Sequence, residues 1–145
     1  MSFSARWLSY FFDIAARNAA MSKDLHTHVG AVIVDSDRNI LSTGFNGFPR
    51  DVIETPTRQS RPMKYLFTTH AEANAIAAAA RNGHSLRKST LFCTHPPCAQ
   101  CAALIAQAGI IRVYAKSQPA LMLDSENTSV ARAIFAEAGI VISIE

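Results

Sequence analysis

The chain has 145 residues, 49% hydrophobic and 17% charged, with a net charge of +3 and three cysteines. Those figures predict one globular domain over residues 1–145, with a core of its own, and exclude a disordered chain. An odd cysteine count is unsuited to a disulfide framework, and so modest a charge does not build a nucleic-acid face, although it suits a small anionic substrate.

Residues Ser4 to Ala20 carry Trp7, Leu8, Phe11, Ile14 and Ala15 on one stripe and predict a helix. A polar link begins at Ser22-Lys23-Asp24. The continuous apolar run Val29 to Val34 reads as a strand buried on both faces. Asp35 to Asn39 is a turn, and Ile40 to Phe45 a second strand, so the two form an antiparallel hairpin. Asn46 to Phe67 then holds Pro49, Pro56 and Pro62 and the basic residues Arg50, Arg58, Arg61 and Lys64, without periodicity. So long a connection is rare in a compact domain unless it covers or binds something. A substrate lid is the preferred reading, a solvated loop the alternative.

From residue 70 the pattern runs helix, strand, helix, strand, helix, strand. Strands are predicted at Thr90 to Thr94, Ile110 to Ala115 and Ile140 to Ile144, and the last helix at Ser125 to Ala138. Gly83, Gly109 and Gly139 each stand where a helix should stop. Right-handed crossovers make the last three strands parallel. The expected fold is α/β: a three-layer α/β/α sandwich around a five-stranded mixed sheet. The longest alanine-rich run, Ala75 to Ala80, is far too short to cross a membrane. The start Met1 to Trp7 has no basic stretch followed by an apolar one, so no signal peptide and a cytoplasmic location are expected.

The chemistry gathers between Thr68 and Cys101. His70 and Glu72 stand two residues apart at the start of an alanine-rich helix that Thr69 is placed to cap. Cys98 and Cys101 stand three apart on a short helix opened by Pro96-Pro97, so their sulfurs share a face. Helix starts favour negative charge, which suits thiolates. His70, Cys98 and Cys101 could therefore hold one zinc ion with a fourth position open, as catalytic zinc sites do. Glu72 is close enough to exchange a proton with a water in that position.

Each residue also has a plainer reading. Thr69-x-x-Glu72 is an ordinary capping box, Cys98-x-x-Cys101 could be a redox pair, and Cys93 could close a structural zinc site. His70 alone would be a surface histidine. His26, His28, His84 and His95 have no spacing that demands a second metal.

The combined pattern H-x-E … P-C-x-x-C is a signature of zinc-dependent base deaminases. With Gly44-Phe45-Asn46-Gly47, His70 to Ile76 and Gln107 to Ile110, it resembles the cytidine deaminase superfamily, and within it the deoxycytidylate (dCMP) deaminase family, over about residues 5 to 145. Asn74 after H-A-E-x and the G-F-N-G turn point to the dCMP branch. The resemblance implies zinc on His70, Cys98 and Cys101, and Glu72 as proton shuttle for hydrolytic deamination at C4 of cytosine. It further implies that Asn46 and the Ala71 amide bind the substrate, with Lys23 and the loop basics facing a phosphate. A homo-oligomer is expected, with no membrane or nucleic-acid partner. The turn continues as Pro49-Arg50-Asp51, where the family usually has Gly, so substrate and any triphosphate regulation stay open. Other readings are a deaminase of a free base, nucleoside or other heterocycle (purine, pterin, triazine), a tRNA adenosine deaminase, and a zinc-stabilised binding module. Arg132 set against Glu126 and Glu137 disfavours the tRNA enzyme.

Overall fold

A computed structural model describes residues 2–118 and 125–145. Its centre is one five-stranded sheet in the order β2-β1-β3-β4-β5, with β1 Gly30–Val34, β2 Ile40–Phe45, β3 Thr90–Cys93, β4 Arg112–Ala115 and β5 Val141–Ile144. β1 runs antiparallel to both β2 and β3, while β3, β4 and β5 are parallel. This is the mixed sheet that the sequence predicts, hairpin first and helix crossovers after.

The alternation of side chains along β1 sorts the helices into two layers. Val32 and Val34 face Phe11, Phe12 and Ala15 of α1 (Ala5–Ala19), joined by Phe3, Phe92 and Tyr114. Ala31 and Ile33 face the opposite layer, made by α4 (Ala71–Arg81), α5 (Ala99–Gln107) and α6 (Glu126–Glu137). The aromatic cluster under α1 is tight: Phe3 meets Phe11, Phe92 and Tyr114 edge-on at 5.3–5.8 Å between centroids.

Two glycines set how closely these layers approach. A Cβ on Gly30 would lie 1.9 Å from the Ala15 carbonyl oxygen, and one on Gly44 would lie 2.3 Å from that of Ala71 and 2.5 Å from the Ala75 amide. α1 and α4 therefore rest directly on the strand backbone. The alanine run of α4 serves this contact, since Ala71, Ala75 and Ala79 are its buried residues beside Glu72.

The three helix stops fall where glycine predicted them. Gly83, Gly109 and Gly139 have positive φ, and the next amide (His84, Ile110, Ile140) bonds back to Ala79, Ile105 and Phe135, the Schellman arrangement.

Residues 46–68 contain two one-turn helices, α2 (Pro56–Gln59) and α3 (Lys64–Phe67), too short to leave a periodic trace in sequence. The segment is anchored from inside and outside. Arg58 stacks over Phe67 at 4.7 Å and donates to the Ile53 carbonyl, and Phe67 stacks on Phe48. The Lys64 ammonium is buried against both carboxylate oxygens of Asp24 at 3.1 and 3.3 Å.

Candidate active site

Both zinc-competent segments sit at helix starts, one residue away from where local signals put them. α4 begins at Ala71, so His70 is itself the N-cap and Thr69 is not. Thr69 instead pairs with Gly47 as an isolated bridge, with N–H···O contacts of 2.8 and 3.1 Å in the two directions. That bridge engages the Thr69 N–H that the glutamate of a capping box would accept, and Glu72 sits at the second helical position. Cys98 likewise occupies the N-cap of α5, with Cys101 in its first turn.

The result is convergence. The Nδ1 of His70 lies 3.4 Å from the Cys98 sulfur and 3.5 Å from the Cys101 sulfur. All three donor atoms fall within 4.8 Å of one another, the one such cluster of ligating groups among the described residues. Around tetrahedral zinc, bonds of about 2.3 Å to sulfur and about 2.0 Å to nitrogen put S and N roughly 3.6 Å apart, so the spacing fits the ion. The donor set, two sulfurs and an imidazole, is also one zinc favours.

The protonation chemistry points the same way. A hydrogen bond from the Cys101 thiol, with help from His70, lowers the Cys98 thiol to about 4. The bond to Cys98 and then burial push Cys101 above the ordinary thiol range. The hydrogen bond to Cys98 raises His70. Metal ligands of this kind bind as thiolates, so Cys98, whose thiol is held low, is the sulfur more readily ionised for an ion.

Glu72 lies just below the surface, 4% exposed, whereas His70 is open to solvent. Burial pushes its carboxyl up, partly offset by a hydrogen bond to its own backbone amide and by the charge of His70. Cys93, at the end of β3 and fully buried, has its thiol pushed well up by burial and then by the charge of nearby Glu72. In sequence Cys93 reads as a residue that could close a structural zinc site; only the fold brings it beside Glu72.

Ala71 opens α4, so its amide is one of the four at a helix start without a partner inside the helix. Asn46 is buried, and much of its side chain is already engaged: Oδ1 accepts the Val29 amide at 2.8 Å and Nδ2 donates to the Thr27 carbonyl at 2.8 Å. Asn74 ties α4 to the end of β2, donating to the Phe45 carbonyl at 2.7 Å and to that of Thr69 at 3.3 Å. Lys23 is not brought to the cluster. It is exposed, 3.6 Å from the Glu54 carboxylate, and lines a cavity of about 280 Å³ with Asp24, Arg50 and Lys64 that holds none of the three ligating residues.

Comparison with known proteins follows the same lines. Residues 5–117 match the model of the cytidine and deoxycytidylate deaminase zinc-binding region. An uncharacterized deaminase of Aliivibrio fischeri is 40% identical over 141 residues, covering 96% of this chain and 93% of that one. The deoxycytidylate deaminase of Homo sapiens is 36% identical over 142 residues, covering 92% of this chain and 76% of that one. The crystal structure of the dCMP deaminase from cyanophage S-TIM5, in complex with dCMP and dUMP, superposes with a TM-score of 0.81 at 26% identity, covering 99% of this chain and 100% of that one.

Proposed function

The chain belongs to the cytidine and deoxycytidylate deaminase family, and on that premise we propose that it is a zinc-dependent hydrolase converting dCMP to dUMP with release of ammonia. The observation that carries the proposal is the pairing of an open three-donor cluster, His70, Cys98 and Cys101, with the buried carboxyl of Glu72. A closed structural site needs no such acid, and a redox pair needs no histidine. The nucleotide is favoured because relatives along nearly the whole chain are dCMP deaminases.

Zinc held by His70 Nδ1 and the sulfurs of Cys98 and Cys101 supplies, when bound, the Lewis acidity that makes water nucleophilic near neutral pH. Glu72 takes the proton of the attacking water on a carboxylate oxygen and delivers it to N3 of the cytosine ring. A second transfer through the same carboxylate reaches the amino group, so the bond from C4 to that nitrogen breaks as the new C4–O bond is retained. The weakened acidity of buried Glu72 suits a group that must both take and give a proton. The Ala71 amide faces the base, and Asn46, bonded to Thr27 through one amide hydrogen, has a second for the sugar.

The 5′-phosphate is assigned to Lys23 and Arg50. Arg50 has no ion pair among the described residues and lines the cavities on both sides of Gly47-Phe48. The enzyme acts in the cytoplasm, a reading supported by three cysteines of which none is in a disulfide. It acts as a homo-oligomer, supported by the exposure of Ile53, Tyr65 and Leu66 on one segment. Among the described residues no helix is long and apolar enough to cross a membrane.

The test is kcat/KM for dCMP against deoxycytidine in wild type, Lys23→Ala and Arg50→Ala. A charge-assisted phosphate contact is worth roughly 1.5–3 kcal/mol, so losing one narrows the preference about ten- to a hundredfold. Equal rates on both substrates would move the assignment to a nucleoside deaminase.

A further inference from the structure

Asn127 reaches away from its own helix. The start of α6 is closed by Ser125, whose Oγ accepts the Thr128 amide at 3.2 Å. The Asn127 Oδ1 instead accepts the amide N–H of Ala99 at 2.9 Å. Ala99 is the first residue of α5, and its amide would otherwise lack a partner within that helix. Cys98, one residue before, makes no side-chain cap bond of its own.

The N–H that Asn127 grips belongs to the planar peptide unit joining Cys98 to Ala99. Holding one end of that plane fixes ψ of Cys98, 172° here, and with it the direction from the α5 backbone to the sulfur. Cys98 is also the ligand with the longest lever. Cys101 is anchored inside the helix turn and buried, whereas Cys98 precedes the helix and is only half-buried. α6 is well placed to provide a fixed acceptor, since Ala131 and Phe135 lock it into the core beside Ala102 and Ile105 of α5. Asn127 and Cys98 line one crevice of about 330 Å³ between the metal loop, α6 and β5.

We infer that Asn127 is a positioning residue of the metal centre, fixing the Cys98 sulfur through the Ala99 amide. The inference rests on the zinc reading given above. It makes zinc retention depend on a residue of α6 outside the set of ligands, and it assigns the last helix a part in holding the site together.

The experiment measures the rate of zinc release to a chromogenic chelator, with the thiolate-to-metal absorption band of the cobalt-substituted protein as a second readout. The proteins compared are wild type, Asn127→Ala, Asn127→Ser, Asn127→Asp and Ser125→Ala. Partners that orient a ligand typically change metal affinity ten- to a hundredfold, so zinc release should quicken by about that factor in Asn127→Ala. Asn127→Ser, whose hydroxyl is too short to reach Ala99 but which suits a helix start, should behave alike and serves if the alanine variant fails to fold. Asn127→Asp keeps the acceptor and should return most of the retention. Ser125→Ala removes the cap of the same helix without touching α5 and should release zinc near the wild-type rate. Unchanged release in both Asn127→Ala and Asn127→Ser, or equal acceleration by Ser125→Ala, overturns the inference. A wild type that holds zinc and loses it faster on Asn127→Ala, yet does not turn over dCMP, supports the inference while removing the proposed reaction.

Discussion

The buried carboxyl of Glu72 and the buried thiol of Cys93 lie close enough that the charge of Glu72 helps raise the Cys93 thiol, beside the His70–Cys98–Cys101 cluster. The two residues come from different elements, the first turn of α4 and the last position of β3. Their meeting decides what each substitution there will read.

Glu72→Gln keeps the size of the side chain but cannot carry a proton. It should retain about one zinc per chain and a wild-type melting profile while kcat falls by at least ~10²-fold, the low end for a lost general acid–base. Metal analysis and steady-state kinetics on the same preparation check it. Full activity with zinc in place would end the assignment of Glu72 as proton shuttle.

Cys93→Ser replaces a weak donor with a better one and should hold zinc at the wild-type stoichiometry. Cys93→Ala removes a fully buried sulfur and leaves a small void, which should destabilise the fold by roughly 1–3 kcal/mol, still without loss of metal. Urea unfolding and metal content separate the two effects. Loss of zinc from the serine variant would make Cys93 a fourth ligand and the site a closed one.

Gly44→Ala forces a methyl group onto the backbone of α4, where the nearest atoms are 2.3 and 2.5 Å away and cannot swing aside. Overpacking of this kind costs about 1–3 kcal/mol or more. Because α4 carries His70 and Glu72, the same variant should bind zinc more weakly. Gly83→Ala is the comparison: space is open there, only the positive φ resists, and zinc affinity should not move. A Gly44→Ala protein as stable as wild type would mean that α4 can lift from the sheet at no cost.

The Asp24–Lys64 pair predicts a pH dependence. Burial alone would raise the Asp24 carboxyl, but the Thr27 and His26 amides and the Lys64 ammonium outweigh it and hold the carboxyl below its ordinary 3.8. A carboxyl depressed by folding stabilises the native state above its unfolded value, and that contribution fades as pH falls through the lower, folded value. Lys64→Met should therefore destabilise the protein at neutral pH, by roughly 1–3 kcal/mol for a buried group left without a partner. The gap from wild type should shrink as pH drops below 3.8. Denaturant unfolding across pH 3 to 7 reads it, and a gap independent of pH would place the effect in the contact of Lys64 with the Tyr65 ring, 5.7 Å from its centroid, instead.

The parts of the molecule legible in sequence are those fixed by short-range chemistry. Gly83, Gly109 and Gly139 mark helix ends because positive φ is a local demand. The spacing of His70, Cys98 and Cys101 is legible because each lies at a helix start, and the fold has only to bring two starts together. Thr69 is misread as a cap because a residue distant in sequence, Gly47, claims its backbone first. Arg58 and Lys64 read only as loop basics because their partners Phe67 and Asp24 are assigned by tertiary structure alone. Nothing around Asn127 announces that its acceptor serves another helix.

Gly30 and Gly44 lie on neighbouring strands and face opposite layers, one under α1 and the other under α4. At that hairpin the three layers are separated by backbone alone, with no side chain to exchange for a larger or smaller one. The region next to the metal ligands thus has almost no room for gradual resizing. New substrate preferences have to be built elsewhere, and residues 46–68 are the natural place, since their packing rests on side-chain stacks and ion pairs that can be swapped one at a time. A mutational library meant to redirect the enzyme would leave positions 30 and 44 fixed and spend its diversity there.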